Sequence, residues 1–409
     1  MASQATILIP GIKGTKLLNS NEVNHDTIWS GIQSNFESID DLTLTRSYRN
    51  RYYDEALECI IQPSEVEQLA YGELVQELRK TSSRPVYIFN YDWRYSNVEN
   101  GERLRDYIGY LIAKSKARRR VDPNQPVFSS FDFITHSMGN QVLRSYLNLD
   151  GFRYVNKAVL TVPPFRGSLE IISALIKGEG LFAGTRESMR KLVRTWPGAL
   201  ELLPRYAGAS RFENGAAHNF FNINHWQENL VQIKPDDSDE KIARKEKLRA
   251  LIRRGKKMVE QEMVDLDQLS AADRKRMLIV VRDGFKTMQS IQVLKDVPSP
   301  GPANLFNLSQ VAVSKDGDGA VAHASSCCYA RPDGSGVQTV ALMKDFWAND
   351  NSHGFVLNEG RMQRLIQRFL YSDAPFDYRI PGNSVREVIG LDKRGWGHNL
   401  SRWGLVLKD

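Results

Sequence analysis

Cysteine is scarce. The 409 residues contain three, Cys59 and the adjacent pair Cys327 and Cys328. Two neighbours and one distant residue give neither a disulfide framework nor a metal-ligand spacing. So low a count suits a reducing compartment. Long apolar runs are missing too, and none reaches the ~18 residues of a membrane span. The amino terminus, MASQATILIPG, passes straight into a strand-like run without a basic leader or a leader-length apolar stretch. No signal peptide is therefore expected, and the chain is placed in the cytoplasm or peripherally at membranes. Charge of a single sign is also absent. The 55 basic residues are interleaved with 48 acidic ones for a net +7, which argues against a dedicated nucleic-acid binder. There is no internal repeat and no low-complexity tract.

What the chain does have is alternation. Short apolar runs recur at 5–10, 85–90, 127–135, 155–162, 277–281 and 338–343, with helical patterns such as 66–80 and 102–120 between them. Strands alternating with helices of this length predict an α/β fold with a mainly parallel sheet covered on both faces. From about 168 to 275 the pattern changes to helical segments and turns with no good strand. The expected organisation is a discontinuous core, 1–167 and 276–372, a helical cap or lid over 168–275, and a tail packed on the core over 373–409.

The run FDFITHSMGNQVLRSYL (131–147) puts Ser137 where a strand becomes a helix. This is the pattern of a nucleophile elbow, whose sharp turn tolerates only small neighbours two positions away. Thr135 stands where the first glycine of G-x-S-x-G would be, and Gly139 keeps the second. The pentapeptide alone also suits a serine that caps a helix. A nucleophilic serine needs a histidine base, and the base needs a carboxylate to orient it, in the chain order Ser, acid, His. Downstream, SKDGDGAVAHASS (314–326) offers Asp316 and Asp318, and NDNSHGFVLNEG (349–360) offers His353. Asp318 is preferred for its G-D-G-A-V setting, with Asp316 fixing the turn. His25, His136, His218, His225, His323 and His398 are given no catalytic role. Two backbone N–H donors should hold the oxyanion: Met138, after the serine, and Ile12, in the glycine-bearing loop that follows the first strand.

Together these pieces resemble the lecithin:cholesterol acyltransferase family of α/β-hydrolases, with its lysosomal phospholipase A2 and phospholipid:diacylglycerol acyltransferase relatives. ILIPGIKGTKL resembles the family's V-P-G-x-x-G-x-x-L, and NYDWRYS its Y-D-W-R. THSMGN resembles the elbow, VPPFRGSLE the P-P-x-x-G-S segment, RTWPGALELLPR the Leu-Leu-Pro segment, and DGDGAVA the acid loop. The resemblance implies a triad of Ser137, Asp318 and His353, with Ile12 and Met138 as oxyanion donors. It implies cleavage of an acyl ester from a glycerophospholipid or similar lipid at a membrane surface, and transfer of the acyl group to water or an alcohol. No cofactor or metal is called for, and no protein partner is identified. Asp92 and Arg94 are expected to form a structural ion pair. The chain departs from the family in its lid, where 27–44 has no cysteine and Trp29 would be the apolar anchor. It also departs at Ala320 and Asn140, neither of which is expected to touch the triad.

Trp196 and its aromatic neighbours in the cap, Phe182 among them, could line an acyl tunnel or form core. The basic amphipathic stretch 241–264 could lie on a bilayer or pack its apolar stripe on the cap. Two other readings remain open: an esterase for small soluble esters, and a non-catalytic binding protein on a hydrolase scaffold.

Overall fold

The computed structural model describes residues 4–21, 28–29, 42–44, 60–178, 186–294, 307–331, 333–344 and 352–372. Cys59, Phe182, His25, His398, most of 27–44 and the tail from 373 lie outside these residues. The strands in chain order are β1 Gln4–Ile9, β2 Thr15–Asn19, β3 Ile61–Val66, β4 Val86–Ile88, β5 Ser130–His136, β6 Val155–Thr161, β7 Ser210–Phe212, β8 Met277–Asp283, β9 Thr287–Val293, β10 Asn307–Ser314 and β11 Gln338–Met343. The α-helices are α1 Gln68–Thr81, α2 Asn97–Val121, α3 Gly139–Asp150, α4 Glu170–Lys177, α5 Arg186–Val193, α6 Pro197–Leu200, α7 Glu228–Val231, α8 Asp239–Gln261, α9 Ala271–Lys275, α10 His323–Ser326 and α11 Gly360–Tyr371.

Six strands form the central sheet in the order β11-β8-β6-β5-β1-β4, every pair parallel. These are the six apolar runs of the sequence. Strands covered on both faces need no polar alternation, so β8 is buried at every position. Strand β4 lies on one side of β1 and β5 on the other, so the strand order reverses there. In open α/β sheets ligands bind beyond the carboxyl ends of the strands at such a reversal.

Strand β7 corrects the expectation that 168–275 holds no strand. It is three residues long, too short for any periodicity, and it pairs in parallel with β9. The other described residues of the block form helices joined by turns. Its side chains Trp196, Leu200, Leu248 and Ile252 share one apolar cluster with Phe133, Met138 and Leu160 of the sheet and elbow. Helix α8 buries Leu248, Leu251, Ile252, Met258 and Val259. Its apolar stripe therefore packs inward, and what faces solvent is largely charged.

A polar contact also joins the block to α2. The Glu201 carboxylate, just past α6, accepts from Ser96 Oγ at 2.6 Å and from the Asn97 backbone and side-chain N–H groups at 2.8 Å each. Ser96 Oγ caps α2 by accepting the Val98 N–H, and Glu201 takes the Asn97 N–H before it, so two of the helix's first donors are satisfied. Burial raises the Glu201 carboxyl to about 7 despite its donors. Asp92 and Arg94 form the expected buried ion pair, with Nη2 to Oδ2 at 2.6 Å.

Candidate active site

Ser137 follows β5 with φ +50°, in the left-handed region that a side chain enters only when its surroundings hold it there. The next helix starts at once. A Cβ on Gly139 would lie 2.5 Å from the Ile9 carbonyl oxygen and 2.6 Å from that of Pro10, so the end of β1 can approach the elbow only over a glycine. The Thr135 hydroxyl donates to Asn140 Oδ1 at 2.6 Å, and the Asn140 amide donates to the carbonyls of Ser137 (2.7 Å) and Thr161 (3.0 Å). The two unusual elbow residues are thus partners. Asn140, expected not to touch the triad, holds the Ser137 carbonyl.

Three distant segments converge here. His353 Nε2 is 2.8 Å from Ser137 Oγ, and His353 Nδ1 is 2.7 Å from Asp318 Oδ2. The other Asp318 oxygen accepts from the N–H groups of Ala320 (2.9 Å) and Val321 (2.7 Å). Burial works to raise the Asp318 carboxyl. The adjacent His353 and the two amides outweigh it, and the group sits below its ordinary value. Asp316 instead bonds Ser314 Oγ through its side chain and takes Gln289 and the His323 amide on its carbonyl. It holds the turn.

The loop after β1 carries Ile12. A Cβ on Gly11 would come within 2.9 Å of Ser137 Cβ, so this loop lies directly against the serine. Neither the Ile12 nor the Met138 N–H donates to a described residue, although most surrounding amides do. Both remain available to a developing oxyanion.

A second histidine braces this arrangement. Burial pushes His136 down to about 3, with neighbouring His353 adding to the effect, so its ring is neutral. The His353 carbonyl, 2.9 Å from His136 Nε2, can only accept, so the neutral ring carries its proton on Nε2. Nδ1 then accepts from the Tyr71 hydroxyl at 2.7 Å, and Tyr71 Oη accepts the Gly11 N–H at 2.9 Å. One buried chain of bonds therefore runs from the oxyanion loop through the elbow to the histidine loop. The sequence reading gave His136 no role and passed over Tyr71, which lies in α1 with no local signal to mark it.

Glu170 was also missed. It begins α4, where its own amide donates to Ser168 Oγ, and Ser168 Oγ donates to the carbonyl of Ala320 in the acid loop. Burial raises its carboxyl to about 7, opposed by His353 and aided by Asp318. Trp29 and Trp196 are 1% and 0% exposed. With Trp93 they form a T-shaped row at 5.6 and 5.2 Å, and the Trp29 indole N–H donates to the Lys13 carbonyl beside Ile12. His218 and His225 lie together in the 168–275 block, and His323 Nε2 bonds the Arg282 carbonyl.

Residues 52–298 match the family described as lecithin:cholesterol acyltransferase. No curated protein matches. A chain in the crystal structure of the Tle4–Tli4 complex superposes with a TM-score of 0.54 at 16% identity, over 91% of this chain and 100% of its own. That likeness shows a shared fold. Phospholipase PlaB from Legionella pneumophila, in complex with thio-NAD, gives a TM-score of 0.23 at 14% identity over 41% of this chain and 27% of its own, too little to weigh. The matched segment contains Ser137, whereas Ile12, Asp318 and His353 lie beyond it.

Proposed function

Because the chain belongs to the lecithin:cholesterol acyltransferase family, a family of lipid acyl hydrolases and acyltransferases, we propose that it cleaves acyl esters of glycerophospholipids through an acyl-enzyme on Ser137. The observation that carries this reading is the continuous chain Ser137–His353–Asp318 at 2.8 and 2.7 Å, beyond the carboxyl ends of the central strands.

Ser137 Oγ attacks the ester carbonyl as His353 Nε2 takes its proton. Asp318 holds His353 in the tautomer that leaves Nε2 free to accept, and stabilises the imidazolium that forms. The carbonyl oxygen, now negative, receives the N–H groups of Ile12 and Met138. Collapse expels the alcohol or lysolipid, which takes the proton from His353, and leaves the acyl group on Ser137. Water or an alcohol then attacks that ester by the same steps in reverse.

The test is fatty-acid release from mixed anionic phospholipid vesicles, with and without a long-chain alcohol. Ser137→Ala and His353→Ala should lower release about 10³-fold or more, because the three groups act as a unit. Asp318→Asn should be nearly as damaging, and Asp316→Asn mild. Acyl ester formed on the alcohol identifies transfer. Brisk Ser137-dependent cleavage of a short soluble ester without lipid turnover would refute the substrate, and an unaffected Ser137→Ala protein would refute the nucleophile.

A further inference from the structure

Away from Ser137, α5, α7, the turn that follows it, the first turns of α8 and residues 43–44 line a partly open cavity of about 630 Å³. That volume lies within the range of small-molecule sites. None of the groups around Ser137 lines it. Its deep side is apolar, formed by the buried side chains of Leu44, Leu230 and Leu248. Its rim is strongly basic: among the described lining residues, eight are lysine or arginine and four are aspartate or glutamate.

Three of those four acids are already engaged. Glu187 pairs with Lys191 and Glu240 with Arg244, each at 2.9 Å, and Asp237 pairs with Lys245. Arg190, Arg194, Lys234 and Lys241 make no ion pair with a described carboxylate, and Asp236 is the remaining acid of the lining. Arg194 is held in place, because its Nε and Nη2 both donate to the Leu175 carbonyl, at 3.0 and 2.7 Å. Burial, with the charge of Arg190 added, draws its guanidinium down to about 10, still charged at neutral pH. Like charges gathered at a partly desolvated rim repel one another, and a bound anion would relieve that cost. An inorganic anion answers the rim alone. The leucine side asks for hydrocarbon as well.

We propose that this cavity binds a single-chain anionic amphiphile of the fatty-acid type, its head among Arg190, Arg194 and Lys241 and its chain against Leu44, Leu230 and Leu248. The site is separate from the acyl-ester chemistry and stands whether or not Ser137 is the nucleophile. Thr195 lines the cavity, and Trp196 next to it is buried, which provides an optical reporter.

The experiment is quenching of tryptophan fluorescence by a dibrominated stearate in the full chain, with Arg190→Glu and Lys241→Glu as variants. Both side chains reach solvent, and matching thermal melts establish that the variants fold. Saturable quenching in the wild type, weakened about tenfold or more by either reversal, is the expected result. Inorganic phosphate should fail to displace the stearate, and a brominated neutral ester should bind weakly. Equal stearate affinity in the wild type and both variants overturns the proposal. So does displacement by phosphate at matched concentration, which would leave a plain anion site, or equal binding of the neutral ester, which would leave a plain apolar one.

Discussion

At the scale of single residues, the geometry of the candidate site depends on groups outside the Ser137–His353–Asp318 chain. Tyr71 Oη takes the Gly11 N–H and passes a hydrogen bond to His136, which holds the His353 carbonyl. Tyr71→Phe keeps the packing and removes both bonds. It should lower kcat about 10- to 100-fold, the cost of small misplacement, with KM almost unchanged. Steady-state kinetics on a short ester decides this, and an unaltered kcat would mean that the loops are held by packing alone. Residue chemistry was legible where it is local. Ser137, Asp318 and His353 each sit in a short pattern with a physical demand, and all three come together. Tyr71 and His136 escape such reading because their partners are assembled by the fold. The Thr135–Asn140 pair is intermediate. Both residues lie within one turn, yet only the bond between them explains why the elbow does without its first glycine.

At the scale of elements, the six central strands were readable because burial on both faces makes them short, mainly apolar runs. Strands β3 and β9 were not, since IQPSEV and TMQSIQV are partly exposed and carry polar residues along their length. Helix α2 shows how one element is fixed by another, because its first backbone N–H and the Ser96 and Asn97 side chains all donate to Glu201 just past α6. Glu201→Ala strands buried donors and should cost about 2–4 kcal/mol. Glu201→Gln keeps an acceptor and should cost much less. Urea denaturation midpoints of the two variants check the ranking, and equal midpoints would remove Glu201 from any capping role.

At the scale of the whole molecule, proton binding shapes stability. Glu170 and Glu201 both rise from 4.5 to about 7 on folding. Between those values the folded chain holds protons that the unfolded chain has released, so both groups favour folding at low pH and lose that contribution as pH rises through about 7. Asp318, lowered on folding, acts in the opposite sense, and its contribution is lost only as pH falls below the ordinary carboxylate range. Glu170→Gln should therefore raise the melting temperature at pH 8 relative to wild type and change it little at pH 4. Equal differences at both pH values would show that Glu170 carries no such linkage. The apolar cluster common to the sheet and the 168–275 block has a practical outcome for anyone seeking a smaller enzyme. Excising the block would bare the sheet face beneath it and take β7 from one edge of β9, leaving only β10 beside it, so the shortened chain should precipitate. Mutational streamlining has to begin elsewhere.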